Sequence, residues 1–489
     1  MKKILATILA LVLALGLTAT VWAEGDGTAS GSMTGADFLA KAKDGVITLT
    51  GDVTLTSTWY ISDGKTYTLN LNEHTLSGGS PVIQLMHGKL IINGVGTVKE
   101  STPYFGAVLI KGSKNESDEN YSVLEVNSNV TLEGWSAIFV DQNAAKAYGV
   151  SVTVNGAVLN GAKDTDGSVG NGLYVNGSIT HTKNAPEISL KNTTITATGE
   201  GMYLAGYAKT TLTDCDISGV TGIEIRAGEL TVNGGSITGT ATPIGVAPNG
   251  NGSTVTGAGI AVSQHTTMLP LTVTVNGSNV KGYSAFYQVD TLAEMGDNAG
   301  NKKFTEEQVA AAVAKITLSV NEGVYTATGE DGQAVYSENK TGFVSAGIFS
   351  SEVTSYLTND AVAATVVNGN STDYAVGSTA ISAAITSNST VTVTNGSIDL
   401  TDVPAGVTVK NTGEGKVTVN GTKEVKKGDA PYTVPAKTGG YYYYPSTSDT
   451  TTSTTTKGSP KTFDASVGIY AVTAVLSVTG MAWTAKKRH

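Results

Sequence analysis

Hydrophobic and polar residues alternate in short runs along most of this chain, and residues 222–240 show the pattern in full. Ile223 and Ile225 share one face of a first strand, Leu230 and Val232 share one face of a second, and glycine-containing turns separate the runs. This period-two alternation predicts that each strand buries one side and exposes the other. Strands this short cannot bury that side alone. The segment therefore predicts one coil of a stack in which each coil covers the next.

Two short motifs recur at intervals of roughly 20–22 residues where no loop is inserted. The first motif is a glycine followed by alternating apolar residues, and its copies begin at Gly106, Gly172, Gly201, Gly222 and Gly259. The second motif is a pair of aliphatic residues separated by four mostly small or polar residues, and its copies occupy 71–76, 154–159, 190–195, 212–217, 232–237, 275–280 and 393–398. Stacked copies predict that Leu212, Val232 and Val275 line one continuous interior column, and that turn asparagines pair amide to amide.

These degenerate repeats with variable loops resemble the right-handed β-helix, or pectin-lyase-like, superfamily, and the resemblance covers roughly residues 46–375. It implies an all-β fold, a right-handed parallel β-helix solenoid over residues 46–377. Propeller blades of about 40–50 residues fit the repeat length less well. Residues 378–436 return to short strands and form either further irregular coils or a small separate β unit.

Two short helices interrupt the β pattern. Phe38, Leu39 and Ala42 fall on one side of a helix directly before the first strand. Because exposed strand edges promote aggregation, we expect this helix to cap the open end of the stack, after a disordered start, within residues 24–45. Thr305 and Gln308 form a capping box ahead of an alanine-rich run, which predicts an inserted helix.

The amino-terminal end predicts export. Lys2 and Lys3 precede an apolar run at residues 4–17, and a small-x-small site ends at Ala23. This arrangement is that of a secretory signal over residues 1–23, cleaved by signal peptidase after Ala23. A retained helical anchor is the alternative, but the apolar run is short for a membrane span.

The carboxyl-terminal end resembles the sortase sorting signal of Gram-positive surface proteins. Residues 459–489 contain an uncharged hydrophobic span, a basic tail and, ahead of both, the pentapeptide Ser459, Pro460, Lys461, Thr462 and Phe463. The resemblance implies that sortase cleaves after Thr462 and joins it to peptidoglycan. Ser459 and Phe463 depart from the Leu and Gly of the commonest signal. Without cleavage, the span would remain as a transmembrane anchor helix. The Thr-, Ser- and Tyr-rich linker at 437–458 would carry the body away from either anchor.

Composition limits the classes of molecule that the protein is expected to bind. The chain has 489 residues and a formal net charge of −10, and removing the basic ends makes the exported part more acidic still. Nucleic acid is therefore not an expected partner, because its recognition needs a basic footprint. The single cysteine, Cys215, cannot form an intramolecular disulfide and occupies a small position of its repeat. We interpret it as a core residue, with a reactive thiol as the alternative.

Signatures of catalysis or metal binding are sparse. The polygalacturonase branch of the superfamily uses adjacent Asp pairs and Gly-His-Gly, and neither occurs here. Pectate lyases use calcium and a basic residue, usually arginine, to abstract a proton. Asp164 opens a sequence like the start of a calcium loop, but the bidentate glutamate is missing, so we expect a turn. We predict no metal, cofactor or catalytic residue.

The candidate ligand-binding residues are Tyr174, Tyr203, Glu224 and Arg226. The two tyrosines are predicted at the outward position equivalent to Glu224 in the two preceding coils, about 5 Å apart per coil. Arg226 is the only arginine left once both ends are removed. Such a stripe would stack a sugar ring and hydrogen-bond its hydroxyls, since tyrosine offers an apolar face and a polar tip. The alternative is an ordinary solvated strand face.

The sequence as a whole favours a secreted, wall-anchored surface protein that binds host or plant glycans or adheres through its solenoid, without catalysis. A second hypothesis is an extracellular polysaccharide lyase or hydrolase acting on the strand face around Glu224 and Arg226. A third is a structural stalk with no ligand.

Overall fold

The structure is a computed structural model that describes residues 25–140, 147–249, 251–289 and 304–436. The predicted signal segment at 1–23, the linker at 437–458 and the sorting signal at 459–489 lie outside these ranges. No helix within them is both long and apolar enough to cross a membrane.

Most of the chain winds through three columns of strands, here numbered in chain order. After an initial strand, β1 (Thr28–Met33), column A contains β2 (Val46–Leu55), β4 (Thr66–Asn70), β7 (Gly88–Asn93), β10 (Ser122–Val126), β13 (Val150–Asn155), β16 (Glu187–Lys191), β19 (Lys209–Thr213), β22 (Gly228–Asn233), β27 (Leu271–Asn276) and β30 (Ile316–Val320). Column B begins with the end of β2 and contains β5 (Thr75–Gly78), β8 (Gly96–Glu100), β11 (Val130–Gly134), β14 (Val158–Gly161), β17 (Thr194–Ala197), β20 (Asp216–Gly219), β23 (Ser236–Gly239), β28 (Ser278–Gly282), β31 (Gly323–Ala327) and β33 (Gly347–Phe349).

Column C contains β3 (Trp59–Ile61), β6 (Ile83–Leu85), β9 (Val108–Ile110), β12 (Ser136–Val140), β15 (Asn171–Val175), β18 (Met202–Leu204), β21 (Ile223–Ile225), β26 (Ala258–Ser263), β29 (Ser284–Val289) and β32 (Val335–Ser337). Within each column every strand pairs in parallel with the equivalent strand of the next coil. The sequential order and parallel pairing are those of a parallel β-solenoid, as the repeats predicted.

The predicted interior column is confirmed. Leu212 pairs in register with Val232, and Val232 pairs with Val275. All three side chains are buried, in one hydrophobic cluster that runs through the stack. Cys215 lies in the same cluster, which confirms it as a core residue.

Asparagine ladders at the turns after column A reinforce the stack. Asn276 donates its side-chain amide to Asn233 at 2.9 Å, and Asn321 donates to Asn276 at 2.9 Å. Further down the stack, Asn127 donates to Asn93 at 2.6 Å. This is the amide pairing expected from the sequence, and it satisfies polar side chains that the turn would otherwise leave without partners.

The amino-terminal end is closed by α1 (Gly35–Ala40). Phe38 is fully buried, and its ring lies edge-on to Trp59 of the first coil, with centroids 5.0 Å apart. Part of the expected disordered start is instead strand β1, which pairs with β2. This pairing satisfies backbone groups along β2 that the edge of the stack would otherwise expose.

The predicted inserted helix is present as α2 (Glu306–Val313). The Thr305 hydroxyl accepts from the Gln308 amide N–H, and the Gln308 side chain accepts from the Thr305 N–H. The capping box expected from the sequence is therefore formed.

Parallel pairing gives way to mixed pairing at the carboxyl end of the stack. There, β33 pairs in antiparallel fashion with β35 (Ser371–Val376), which forms a hairpin with β34 (Ala363–Asn368). The remaining elements are a short 3₁₀ turn (Thr354–Tyr356), α3 (Ser378–Ala384), β36 (Thr390–Asn395), β37 (Ile398–Leu400), β38 (Thr408–Asn411), β39 (Val417–Val419), β40 (Lys423–Val425) and β41 (Tyr432–Thr433). The last copy of the second motif, at 393–398, lies here in a separate hydrophobic cluster and not in the solenoid core.

Candidate functional site

Column C brings three of the four candidate residues into one ladder. Tyr174 pairs in register with Tyr203, and Tyr203 pairs with Glu224. The two tyrosine rings are 5.1 Å apart, and Arg226 follows directly after β21. The register expected from the sequence is therefore confirmed.

The expectation of an open, solvated stripe is wrong for three of these residues. Glu224 is 0% exposed, Arg226 1% and Tyr203 7%, whereas Tyr174 is partly exposed. They are covered by the insertion between β23 and β26, which folds back as an antiparallel hairpin, β24 (Gly245–Pro248) and β25 (Ser253–Thr256). The ladder is thus a buried polar cluster that opens to solvent near Tyr174.

The carboxyl group of Glu224 lies beneath this hairpin. Its Oε2 accepts a hydrogen bond from the Val255 amide at 3.1 Å, and its Oε1 lies 2.7 Å from the Ser263 hydroxyl. Burial raises the pKa of Glu224 to about 8, against the opposing effect of the Arg226 charge. The group is therefore enclosed and does not reach the solvent.

Arg226 bridges the strand face and the hairpin. Its Nη1 donates to the Tyr203 hydroxyl at 2.6 Å, and its Nη2 donates to the Asn251 carbonyl. Its guanidinium carbon lies 5.9 Å from the centre of the Tyr203 ring, and Asn249 donates to the Tyr203 hydroxyl at 3.0 Å. The Nε of Arg226 is buried without an acceptor among the residues that the structure describes.

An open cleft of about 390 Å³ lies beside this cluster. Its lining combines tyrosine rings with amide and hydroxyl groups and a single guanidinium: Tyr174, Asn176, Gly177, Ser178, Thr180, Tyr203, Ala205, Arg226, Asn251, His265 and Thr267. No carboxylate is among these lining residues.

His265 lines the cleft as an uncharged imidazole. Its Nδ1 accepts from the Thr267 amide N–H at 3.1 Å, which places the ring proton on Nε2. Burial, aided by the Arg226 charge, lowers the pKa of His265 to about 4. A Cβ at Gly177 would lie 2.6 Å from Nε2, so the glycine lets the ring approach this closely.

Aromatic residues of the preceding coil pack against the ring of Tyr174. Phe139 lies edge-on to the Tyr174 ring at 4.7 Å, and Trp135 lies 5.6 Å from it. Burial raises the pKa of Tyr174, so its hydroxyl stays protonated at neutral pH. Tyr174 therefore presents a fixed, neutral aromatic surface to the cleft.

Sequence reasoning missed most of the polar lining. Asn176, Ala205 and Arg226 each follow the last paired residue of their column C strand, so they occupy equivalent places in successive coils. Following this place along the repeats would have found Asn176. Asn251 and His265 lie in connections whose course the repeats do not specify.

Within the described ranges no group of acidic, histidine or cysteine side chains is placed to hold a metal ion. The segment that begins at Asp164 is a turn, as expected. The Asp164 carboxylate accepts from the backbone amides of Asp166 and Ser168 at 2.9 and 3.0 Å. Oδ1 of Asp164 thus accepts hydrogen bonds from the backbone of its own turn.

Comparison with protein-family models, curated proteins and solved structures finds no match to this chain.

Proposed function

We propose that this protein is displayed outside the cell and binds glycans in the cleft beside Tyr174. The observation that carries the proposal is the composition of the cleft wall. A partly exposed tyrosine, packed from behind by other aromatic rings, stands among amide and hydroxyl side chains. An aromatic surface suits the apolar face of a sugar, and the surrounding groups suit its hydroxyls.

Binding is favoured over cleavage by the state of the ionisable groups. Glu224, which the lyase or hydrolase hypothesis would need, lies under the hairpin with both oxygens engaged. Arg226 is committed to Tyr203 and Asn251, and His265 stays neutral above a pKa of about 4. General acid–base chemistry needs a group within reach of the substrate, and the carboxyl here is enclosed. The third hypothesis, a structural stalk with no ligand, does not explain why such a cleft is present.

The proposed setting comes from the sequence. The body is proposed to be a right-handed β-helix of the pectin-lyase-like type, exported after cleavage at Ala23. Sortase would then join Thr462 to peptidoglycan, with the hydrophobic span as the alternative anchor. The partners are therefore signal peptidase, sortase, peptidoglycan and a host or plant glycan.

Replacing Tyr174 by alanine tests the binding site. We expect the affinity for glycans retained on an array to fall about tenfold, because the sugar loses its stacking surface. Tyr60→Ala is the matched control. Tyr60 occupies the same outward position in the first coil, is 52% exposed and lies several coils away from the cleft. Equal affinities for the wild type and Tyr174→Ala would contradict the proposal. So would new reducing ends or unsaturated products, which would indicate an enzyme.

A further inference from the structure

We propose that Glu224 is held as a neutral carboxylic acid at neutral pH, so that Arg226 is left as the unbalanced charge of the cleft and selects glycans that carry an anionic group. This inference rests on the proposed function and specifies its ligand class. The anionic group is a carboxylate or a sulfate ester, because both carry the negative charge that the positive charge of Arg226 attracts.

The hydrogen bonds around Ser263 require more protons than its own hydroxyl can supply. Its hydroxyl oxygen lies 2.7 Å from Glu224 Oε1 and 2.8 Å from the carbonyl oxygen of Ser253. A serine hydroxyl has one proton, and a carbonyl only accepts. If Ser263 donates to Ser253, the short contact with Glu224 is a hydrogen bond only when the carboxyl supplies the second proton. A protonated Glu224 therefore satisfies both contacts, whereas an ionised one satisfies only one.

The terminal donors of Arg226 are directed to groups other than Glu224. They go to Tyr203 and Asn251, and among the described residues no ion pair joins Arg226 to Glu224. A buried carboxylate needs such a partner to stay ionised, because burial in a medium of low polarity disfavours its charge. Among the described residues, Glu224 therefore has no hydrogen bond from a cationic side chain.

The charged and titratable groups that face Glu224 are few. Arg226 follows two residues later in the chain, just after β21, and Glu200 and Tyr203 belong to the preceding coil. The hairpin and β26 contribute the Val255 amide and the Ser263 hydroxyl. Burial raises the pKa values of Tyr203 and Glu200 as well. Among these groups, Glu200 is the one other carboxyl, and Glu200→Gln therefore serves as the control.

The surrounding charge makes the site distinctive. The chain carries a formal net charge of −10, so its surface as a whole repels anions. Arg226 then gives the cleft a local positive charge in an otherwise acidic molecule. As pH rises through the titration of Glu224, the new carboxylate would balance Arg226, and affinity for an anionic glycan would fall.

Isotope-edited infrared spectroscopy of the full chain, labelled at the glutamate carboxyls, tests the protonation state directly. We expect the carbonyl stretch of a protonated carboxyl at neutral pH in the wild type, with the component due to Glu224 kept in Glu200→Gln and lost in Glu224→Gln. The same band should vanish from the wild type as pH rises through about 8. If Glu224→Gln fails to fold, this titration of the wild type decides alone. An unchanged band in Glu224→Gln, or no such band in the wild type, would overturn the inference.

Binding to three polymers that share one backbone tests the ligand class: neutral dextran, carboxymethyl dextran and dextran sulfate. We expect the charged polymers to bind at least about fivefold more tightly than dextran at pH 6.5, with the preference lost at pH 9. Glu224→Gln should keep the preference at both pH values, because it cannot ionise. Equal affinity for charged and neutral polymers, with Glu224 shown to be protonated, overturns the ligand class. Absence of any glycan binding instead overturns the proposed function, while the infrared result still decides the state of Glu224.

Discussion

The enclosed carboxyl of Glu224 should leave a signature in the stability of the fold. Its pKa rises from 4.5 to about 8 on folding, so between these values the folded protein holds a proton that the unfolded chain releases. The free energy of unfolding should therefore fall with rising pH over this window, by about 1.4 kcal/mol per pH unit relative to Glu224→Gln. Above pH 8 the difference should level off.

Urea denaturation of both proteins from pH 4.5 to pH 9 checks this expectation. Glu200→Gln controls for the neighbouring carboxyl, and it should keep the slope assigned to Glu224. Parallel stability profiles for the wild type and Glu224→Gln would show that the folded carboxyl is ionised after all.

Single residues also show what the sequence could and could not predict. The alternation within each strand and the spacing of the repeats were sufficient to place Tyr174, Tyr203 and Glu224 on one outward ladder. They were not sufficient to predict burial, because that depends on where the insertion between β23 and β26 folds. Its glycine and asparagine residues indicate turns. A sequence that favours a turn does not specify the surface against which the loop packs.

At the scale of single elements, the leading glycine of the first motif has a packing role. A Cβ on Gly222 would lie 2.5 Å from the Gly259 carbonyl oxygen of the next coil and 2.5 Å from a methyl group of Ile237. Gly201 faces the same restriction, with Gly222 oxygen 2.4 Å from its virtual Cβ. The recurrent glycine therefore allows adjacent coils to approach closely at the start of those column C strands that carry it.

Gly222→Ala should consequently destabilise the protein by about 1–3 kcal/mol, as overpacking in a tight interior does. Gly79→Ala is the matched control, because no atom lies within 4 Å of a Cβ built there. Thermal unfolding of the two variants is the measurement. Equal melting temperatures for Gly222→Ala and Gly79→Ala would contradict this prediction. They would mean that adjacent coils can move apart with little loss in the free energy of unfolding.

At the scale of the whole molecule, the repeats predicted the stack but not its end. The copy of the second motif at 393–398 has the same local pattern as the six copies before it. Its first strand, β36, nevertheless pairs in antiparallel fashion with β34 and packs in the second cluster. A short alternating strand can pair in either direction, and the partner edge that it meets decides between them.

The proposed attachment to the cell also belongs to the scale of the whole molecule. We expect mass spectrometry of enzymatically released wall fragments to find a carboxyl terminus at Thr462 joined to a peptidoglycan fragment. Thr462→Ala should prevent this linkage, whereas Ser459→Ala should have a smaller effect, because the cleaved bond follows the threonine. An intact chain in the membrane fraction would instead show that the hydrophobic span is the anchor.

The coil-to-coil pairing within the three columns has an evolutionary consequence. Each interior coil bonds only to coils built on the same plan, so one coil can be duplicated or lost without altering either terminus of the rod. Such a change would alter the length of the stack on one side of the Tyr174 cleft in increments of about 4.8 Å. If the proposed attachment and binding hold, the reach of the protein is therefore adjustable in discrete steps without a change in the residues that line the cleft.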